Sequence, residues 1–298
     1  MTTRTNKMNV IKLIERADTP GGYVELWDFS RANESHEARV EAVTAVASIC
    51  FGSNKAIGSD KLYNKLAAES IGLPSSSFEF VPVLLKLNSE LCPFDELVSE
   101  GAIPHFMKYG TLIKDGQDEY ILTNYRALLY DIEMSGADKE KWINGAFNKT
   151  STEQSIIRKN FVVTKHKLDI ATARQYMRHR DSWQELSRRY TTGKKVPVEV
   201  YLDSSIEHSG AKIVVGDREL SAQDVVDISI EMYNELLKNG VKAQDARRVL
   251  PIGLKTEVWS ARNLESLSNF YSLRTESKAQ DEIREIAKAM KTLTDKHL

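Results

Sequence analysis

Hydrophobic positions recur along this chain with two periods. Helical spacing places Val40, Val43, Val46 and Ala47 on one face of a segment running from about Ser35 to Ile49. The same spacing marks Val226, Ile230, Tyr233 and Leu237 in a long helix that ends at Lys238 before Asn239-Gly240. It also marks Ala279, Ile283, Ile286, Met290 and Leu293 in a last helix that begins near Glu276. Strand character falls on Gly22–Leu26, on the apolar run SSSFEFVPVLLKL and on Phe161–Thr164. Polar punctuation divides these runs. Ser59 caps DKLYNKLAAESIG, which stops near Gly72. Asn124 caps YRALLYDIEM, Asp169 caps ATARQYMRHR, and Ser221 with Asp224 forms a capping box. An Asp-Gly turn at Asp115-Gly116 predicts one hairpin, and Lys212–Arg218 predicts a second. GADKEKWINGAFNKTSTE is polar and reads as helix or loop.

Composition narrows the class. The 298 residues are 41% apolar, enough for a substantial core. Lys+Arg number 41 against Asp+Glu 42, a balance that argues against broad binding of nucleic acid or of a membrane surface. No stretch reaches the roughly 18 apolar residues of a membrane helix, and the N-terminal segment lacks a signal peptide's apolar core. Cys50 and Cys92 are too few for a disulfide framework, so a reducing, cytoplasmic compartment fits. The six histidines form no metal-binding spacing. Cys92 precedes Pro93 with no histidine nearby in sequence, so it reads as a packing residue.

Against this neutral background, RQYMRHRDSWQELSRRY packs five arginines and a histidine into seventeen residues. Such a concentration suits one small, dense anion such as a nucleotide phosphate or a flavin pyrophosphate. On a helix, Gln175 and Arg178 are neighbours on one face, while His179 and Arg180 point elsewhere. The cluster also places cations at the negative end of the helix dipole.

Taken in order, the motifs resemble the flavin-dependent thymidylate synthase family. ARQYMRHR resembles that family's ARQxxRHR, and ELSRRY its closing ExSxRY. ARRVLP and NLESLSNFYSLRTESKAQDEIREIA resemble the downstream segments, at matching spacing. The resemblance covers about residues 165–292 well and 20–82 weakly. It implies an α+β fold, a mixed or antiparallel sheet with packed helices, in a single catalytic domain over 1–298. It implies conversion of dUMP to dTMP with methylenetetrahydrofolate as one-carbon donor, NADPH as reductant and FAD as bound cofactor. A homotetramer with sites at subunit interfaces is expected as well.

Roles follow position by position as what the resemblance implies. Gln175, Arg178, Glu185, Ser187, Arg188 and Arg189 match positions that hold dUMP, with Ser187 and Arg189 at its phosphate. Arg247 matches a further nucleotide contact. Arg274 matches the arginine that polarises the uracil and favours its N3-ionised form. Arg178, His179, Arg180, Asn263 and Asn269 match flavin contacts, and Ser76 and Glu79 align with a flavin-side segment upstream. Four features depart from the family pattern. The loop from RHR to Ser187 is one residue short. Pro74 and Phe80 stand where histidines are usual. Glu265 replaces an arginine, and residues from about 83 to 160 read as an insertion. These departures keep two other readings open: a related enzyme giving another pyrimidine deoxynucleotide product, and a non-catalytic nucleotide- or nucleic-acid-binding module.

Overall fold

In a computed structural model, which describes residues 10–68, 74–87, 104–147, 149–179 and 181–298, a five-stranded sheet organises the chain. β1 (Lys12–Thr19) and β2 (Gly22–Asp28) form its first hairpin. The apolar pattern reveals β2 but not β1, whose residues are polar and partly solvated. Gly22 permits close pairing with the neighbouring strand: a Cβ there would lie 1.8 Å from the Lys167 carbonyl oxygen.

α1 (His36–Ser48) is capped by Ser35, whose hydroxyl accepts from the Ala38 amide. It is buried on nearly all sides, as an alanine- and valine-rich core helix should be. α2 (Asp60–Ala67) starts at the expected cap Ser59. It stops short of the expected end, because the Ala68 amide closes the last turn on the carbonyls of Asn64 and Lys65. Gly72 lies outside the described residues. The run SSSFEFVPVLLKL is not one strand. Ser76–Phe80 wind into a 3-10 turn, started by the Ser75 hydroxyl accepting from the Ser77 amide, and only Pro82–Lys86 forms β3.

Next come α3 (His105–Lys108), β4 (Thr111–Asp115), β5 (Asp118–Asn124), α4 (Tyr125–Ser135), α5 (Lys139–Phe147) and α6 (Ser151–Asn160). The Asp-Gly hairpin is β4–β5, with Gly116 at φ +63°, a left-handed conformation that glycine enters freely. Asn124 caps α4 as expected, and the polar stretch after it resolves into α5 and the start of α6. β3, β5 and β4 make a separate three-stranded antiparallel sheet.

β6 (Phe161–Asp169) leads through the Asp169 cap into α7 (Ile170–Tyr176). The expected helix through RHR ends early. Asp181 is drawn into a buried ion pair, and Ser182–Glu185 leave as β7, so Arg178 and His179 lie just beyond the C-cap rather than within the helix. α8 (Ser204–His208), the hairpin β8 (Lys212–Val215) and β9 (Arg218–Ser221), α9 (Ala222–Lys238) and α10 (Ala243–Ala246) follow. The capping box at Ser221–Asp224 is present. β10 (Lys255–Asn263), α11 (Leu264–Arg274) and α12 (Asp281–His297) complete the described chain. α12 starts later than the expected Glu276, since Gln280 holds extended backbone at its N-cap.

The large sheet runs β1-β2-β6-β10-β7, and every pairing in it is antiparallel. Alternation along β10 sends Trp259 and Ala261 to one core and Val258 to the other. The first core joins the sheet to α1, the 3-10 turn, α4 and α5. The second joins it to α7, α11 and α12. Trp142 of α5 is fully buried in the first core beside residues from the large sheet. Trp142→Ala is therefore expected to lower stability by about 3–5 kcal/mol and to do so in a single urea transition. A separate early transition would show instead that residues 105–160 unfold on their own.

Candidate active site

β10 acts as a ruler between two cavities. Thr256 lines the smaller and Arg262 the larger, six strand steps apart, or about 20 Å at ~3.3 Å per residue. β7 runs alongside, pairing Glu185 with Val258 near one cavity and Ser182 with Ala261 near the other.

The smaller cavity, about 670 Å³, is cationic: Arg174, Arg188, Arg247, Arg248 and Lys255 line it, with Glu185 as a lining carboxylate. Glu185 Oε1 accepts from the Thr256 hydroxyl at 3.0 Å. Burial pushes the Glu185 carboxyl up, against the opposing pull of Thr256, Arg174 and Arg247. Ser187 borders the same space, and its Oγ accepts from the Arg189 amide at 3.3 Å. Arg188 is buried, and its two terminal nitrogens donate to the carbonyls of Val196 (2.7 Å) and Pro197 (2.6 Å). Arg189 is the exposed member of the pair, its guanidinium 5.2 Å from the Tyr190 ring. Arg247 is exposed and donates from Nε to the Gln244 carbonyl.

Arg274, at the end of α11, reaches the end of α7. Its Nε donates to His179 Nε2 at 3.1 Å, and its Nη2 to the Gln175 carbonyl at 3.3 Å. Burial, then Arg262 and Arg274, pull the His179 pKa down to about 4. The imidazole is thus neutral at pH 7 and can accept from Arg274, which assigns its own proton to Nδ1. The Gln175 side chain donates to Gln280 Oε1. Arg178 is exposed, and Arg180 lies outside the described residues.

The larger cavity, about 860 Å³, has one wall from β10 and the start of β7 and another from α3, α4 and the turn between α3 and β4. Glu79 ion-pairs with Arg126 at 2.6 Å on its rim. Asn263 Oδ1 caps α11 by accepting from the Ser266 amide, while its Nδ2 donates to Thr111 Oγ1 at 2.6 Å. Ser76 stands behind β7 and donates to Gln184 Oε1 at 2.9 Å. Asn269 is exposed on α11, away from the residues that line either cavity.

Arg262 is the site residue that motif reading missed. Its side chain and that of Asp181 are 0% and 1% exposed and form an ion pair at 3.0 Å. The guanidinium carbon lies 4.2 Å from the Phe270 ring, 4.5 Å from Tyr176 and 5.0 Å from Trp183. Nη1 and Nη2 have no hydrogen-bond partner among the described residues. Asp181 also accepts from the Ser266 hydroxyl. Strand phase carried a signal: in TEVWSARN, Arg262 falls in step with inward Val258 and Ser260. A cavity of this size with aromatic rings on its far wall fits a broad heterocyclic cofactor such as a flavin, while the Arg262 guanidinium is itself fully buried behind the β10 wall.

Residues 112–298 match the family model of thymidylate synthase complementing proteins. A flavin-dependent thymidylate synthase from Thermotoga neapolitana is 39% identical over 134 residues, covering 44% of this chain and 60% of that protein. One from Aquifex aeolicus is 35% identical over 164 residues, 51% of this chain and 50% of that one. One from Thermosipho melanesiensis is 32% identical over 183 residues, 57% of this chain and 78% of that one. The chain thus spans half to three-fifths of the length of the first two relatives. Among solved structures, a UMP/dUMP methylase from Streptomyces cacaoi bound with 5-Br dUMP shares 27% identity and a TM-score of 0.37, over 46% of this chain and 67% of that one.

Two outcomes are expected of the buried pair and its neighbour. Arg262→Met leaves Asp181 as a lone buried charge and is expected to cost about 3–5 kcal/mol. Arg262→Met with Asp181→Leu should recover most of that loss in urea unfolding. An equal loss in both variants would refute the pairing. His179 should titrate near pH 4 by NMR. Between that value and the ~6.5 of an unfolded histidine, the unfolded chain binds the extra proton. The His179 contribution therefore favours folding above pH 6.5 and is lost as pH falls towards 4.

Proposed function

The chain belongs to the thymidylate synthase complementing proteins, the family of the flavin-dependent thymidylate synthases, and on that premise we propose that it methylates dUMP to dTMP, with methylenetetrahydrofolate as one-carbon donor, FAD as bound cofactor and NADPH as reductant. The observation that carries the reading is the setting of Arg274. A neutral imidazole and a helix-end carbonyl hold two of its nitrogens. Nη1 has no hydrogen-bond partner among the described residues, and so remains for a ligand.

Methylation at C5 of uracil needs electron density at that carbon. A cation that stabilises the N3-ionised pyrimidine supplies it without a thiolate, and Arg274 can take that role. Cys50 is engaged elsewhere: its thiol donates to the Glu185 carbonyl and accepts from Gln184 Nε2. The phosphate of dUMP fits the smaller cavity, where Ser187, Arg247 and the neighbouring cations can meet its oxygens. Glu185, anchored on Thr256, is available to the nucleotide's hydroxyl or ring N–H groups. The larger cavity fits the flavin, with Glu79 and Asn263 to hold it and the buried Arg262–Asp181 pair behind its wall. When bound, the flavin supplies the reducing equivalents of the reaction.

The two cavities of one chain stand apart along β10, which supports a homotetramer whose sites combine cavities from different subunits. An exposed apolar stripe supports it too. Val225, Ile228 and Met232 share one face of α9, and Ile213, Val214 and Val215 of the neighbouring hairpin are exposed, Val214 by 74%. We read the chain as one catalytic unit with an insertion within about 83–160, of which the residues from 112 on fall inside the family match. The burial of Trp142 and Leu128 in one core with residues of the large sheet supports the single unit.

Anaerobic incubation with dUMP, methylenetetrahydrofolate, FAD and NADPH is expected to yield a product heavier by one methyl and no oxygen. An oxygenated product, or none, would overturn the reading. Arg274→Ala is expected to reduce turnover by about 10²–10³-fold or more while FAD stays bound. Unchanged turnover would remove Arg274 from the chemistry.

A further inference from the structure

We infer that His105, Lys108, Tyr109 and Tyr130 form a subsite for the adenosine diphosphate end of the flavin dinucleotide. The inference rests on the flavin reading above. None of these four residues belongs to the motifs that carry the family resemblance. They come from α3, α4 and the turn between α3 and β4, and they line the larger cavity opposite β10.

The wall is built rather than incidental. Asp131, nearly buried on α4, accepts from the backbone amides of His105 (2.8 Å) and Phe106 (2.7 Å) and lies 3.3 Å from His105 Nδ1. This fixes α3 and leaves His105 Nε2 without a hydrogen-bond partner among the described residues. The His105 ring centroid is 3.9 Å from that of Tyr130 and 5.9 Å from that of Tyr109. Tyr109 keeps 55% of its surface in solvent, an apolar face that a planar base would cover.

Charge sets the direction. The Arg126–Glu79 and Arg262–Asp181 pairs neutralise each other within the cavity lining. Lys108 has no ion-pair partner among the described residues, and its Nζ lies 5.6 Å from the Tyr109 ring. Glu265 stands on the β10 wall, where it repels an anion. A pyrophosphate is therefore drawn to the Lys108 side. The β10 wall backs onto His179 through Phe270, whose ring centroid is 5.0 Å from that of His179. The redox-active ring system belongs at that wall, the side of the cavity nearer His179. The adenosine end then falls on His105, Tyr109 and Tyr130.

Equilibrium binding of FAD and of FMN to the flavin-free protein tests this, read by quenching of flavin fluorescence. The variant His105→Ala/Tyr109→Ala changes partly exposed residues. It should lose about tenfold or more in FAD affinity, from lost stacking, and keep its FMN affinity. Retained FMN binding also shows that the variant has folded. Tyr109→Phe keeps the ring and should keep FAD affinity. Lys108→Ala should weaken FAD more than FMN. Unchanged FAD affinity in the double variant would overturn the subsite. An equal fall for both flavins would overturn it too, since the wall would then meet the ring end they share. A wild-type protein that binds neither flavin would overturn the flavin reading itself, and the subsite with it.

Discussion

A guanidinium shut away from water is the most demanding group in this fold, and much of the candidate site is arranged around it. Removing Arg262 from solvent costs several kcal/mol unless other groups replace its hydration. Asp181 supplies the opposite charge, and the faces of Phe270, Tyr176 and Trp183 supply the rest of the shell. Each partner comes from a different piece of chain: the loop after α7, α7 itself, β7 and α11. The cation therefore cannot be housed until those pieces meet. Asp181 extends the tie to the first turn of α11 through the Ser266 hydroxyl. The orientation of α11 sets where Arg274, at its far end, can reach.

The same charge acts on the histidines around it. His166 is fully buried, and desolvation with Arg262 nearby drives its pKa well below the ordinary value. Its neutral ring lies within a buried hydrogen-bond chain: Nε2 is 2.6 Å from the Tyr176 hydroxyl and 2.7 Å from Thr164 Oγ1, and Thr164 continues to Ser260 at 2.8 Å. That chain pins the underside of α7 to β6 and β10. His179, just beyond the end of α7, is kept neutral by burial first and then by the same cation and by Arg274. Neutral imidazole is the form in which His179 can accept the Arg274 hydrogen bond. The buried ion pair and the presentation of Arg274 are thus one electrostatic arrangement rather than two.

Local signals made much of the framework legible. Ser59, Asn124, Asp169 and Ser221 each announce a helix start, because a short polar side chain beside the first turn accepts an amide that would otherwise be unpaired. The Asp-Gly hairpin and the stripe of α12 are equally local. What escaped depends on distant contacts. β1 is a strand because β2 offers it an edge, and its own residues barely alternate. α7 stops at Tyr176 because Asp181 and β7 are claimed by β10, which lies some eighty residues further along. In the site, Glu185, Ser187, Arg188 and Arg247 could be grouped from motif order, and they line one cavity. That order could not reveal that Arg188 spends its donors on Val196 and Pro197 while Arg189 stays outside. Nor could it reveal Arg262, whose importance comes from burial rather than from a motif.

The two cavities differ in charge in a way that supports different ligands for them. In the smaller, five cationic side chains line the space with one carboxylate, whose own proton affinity burial has raised. Such an excess suits a compact dianion, which a phosphate monoester is near neutral pH. In the larger, the arginines are already matched, Arg126 by Glu79 and Arg262 by Asp181, and aromatic rings line the wall opposite β10. A dense anion there would have to break an existing pair. A broad, mostly uncharged ring system would not, and it could leave its charged linker to Lys108 at the edge. Under the proposed function this distribution sends the nucleotide phosphate to one end of β10 and the flavin to the other. It also confines the local cation excess of a chain with net charge −1 to one cavity.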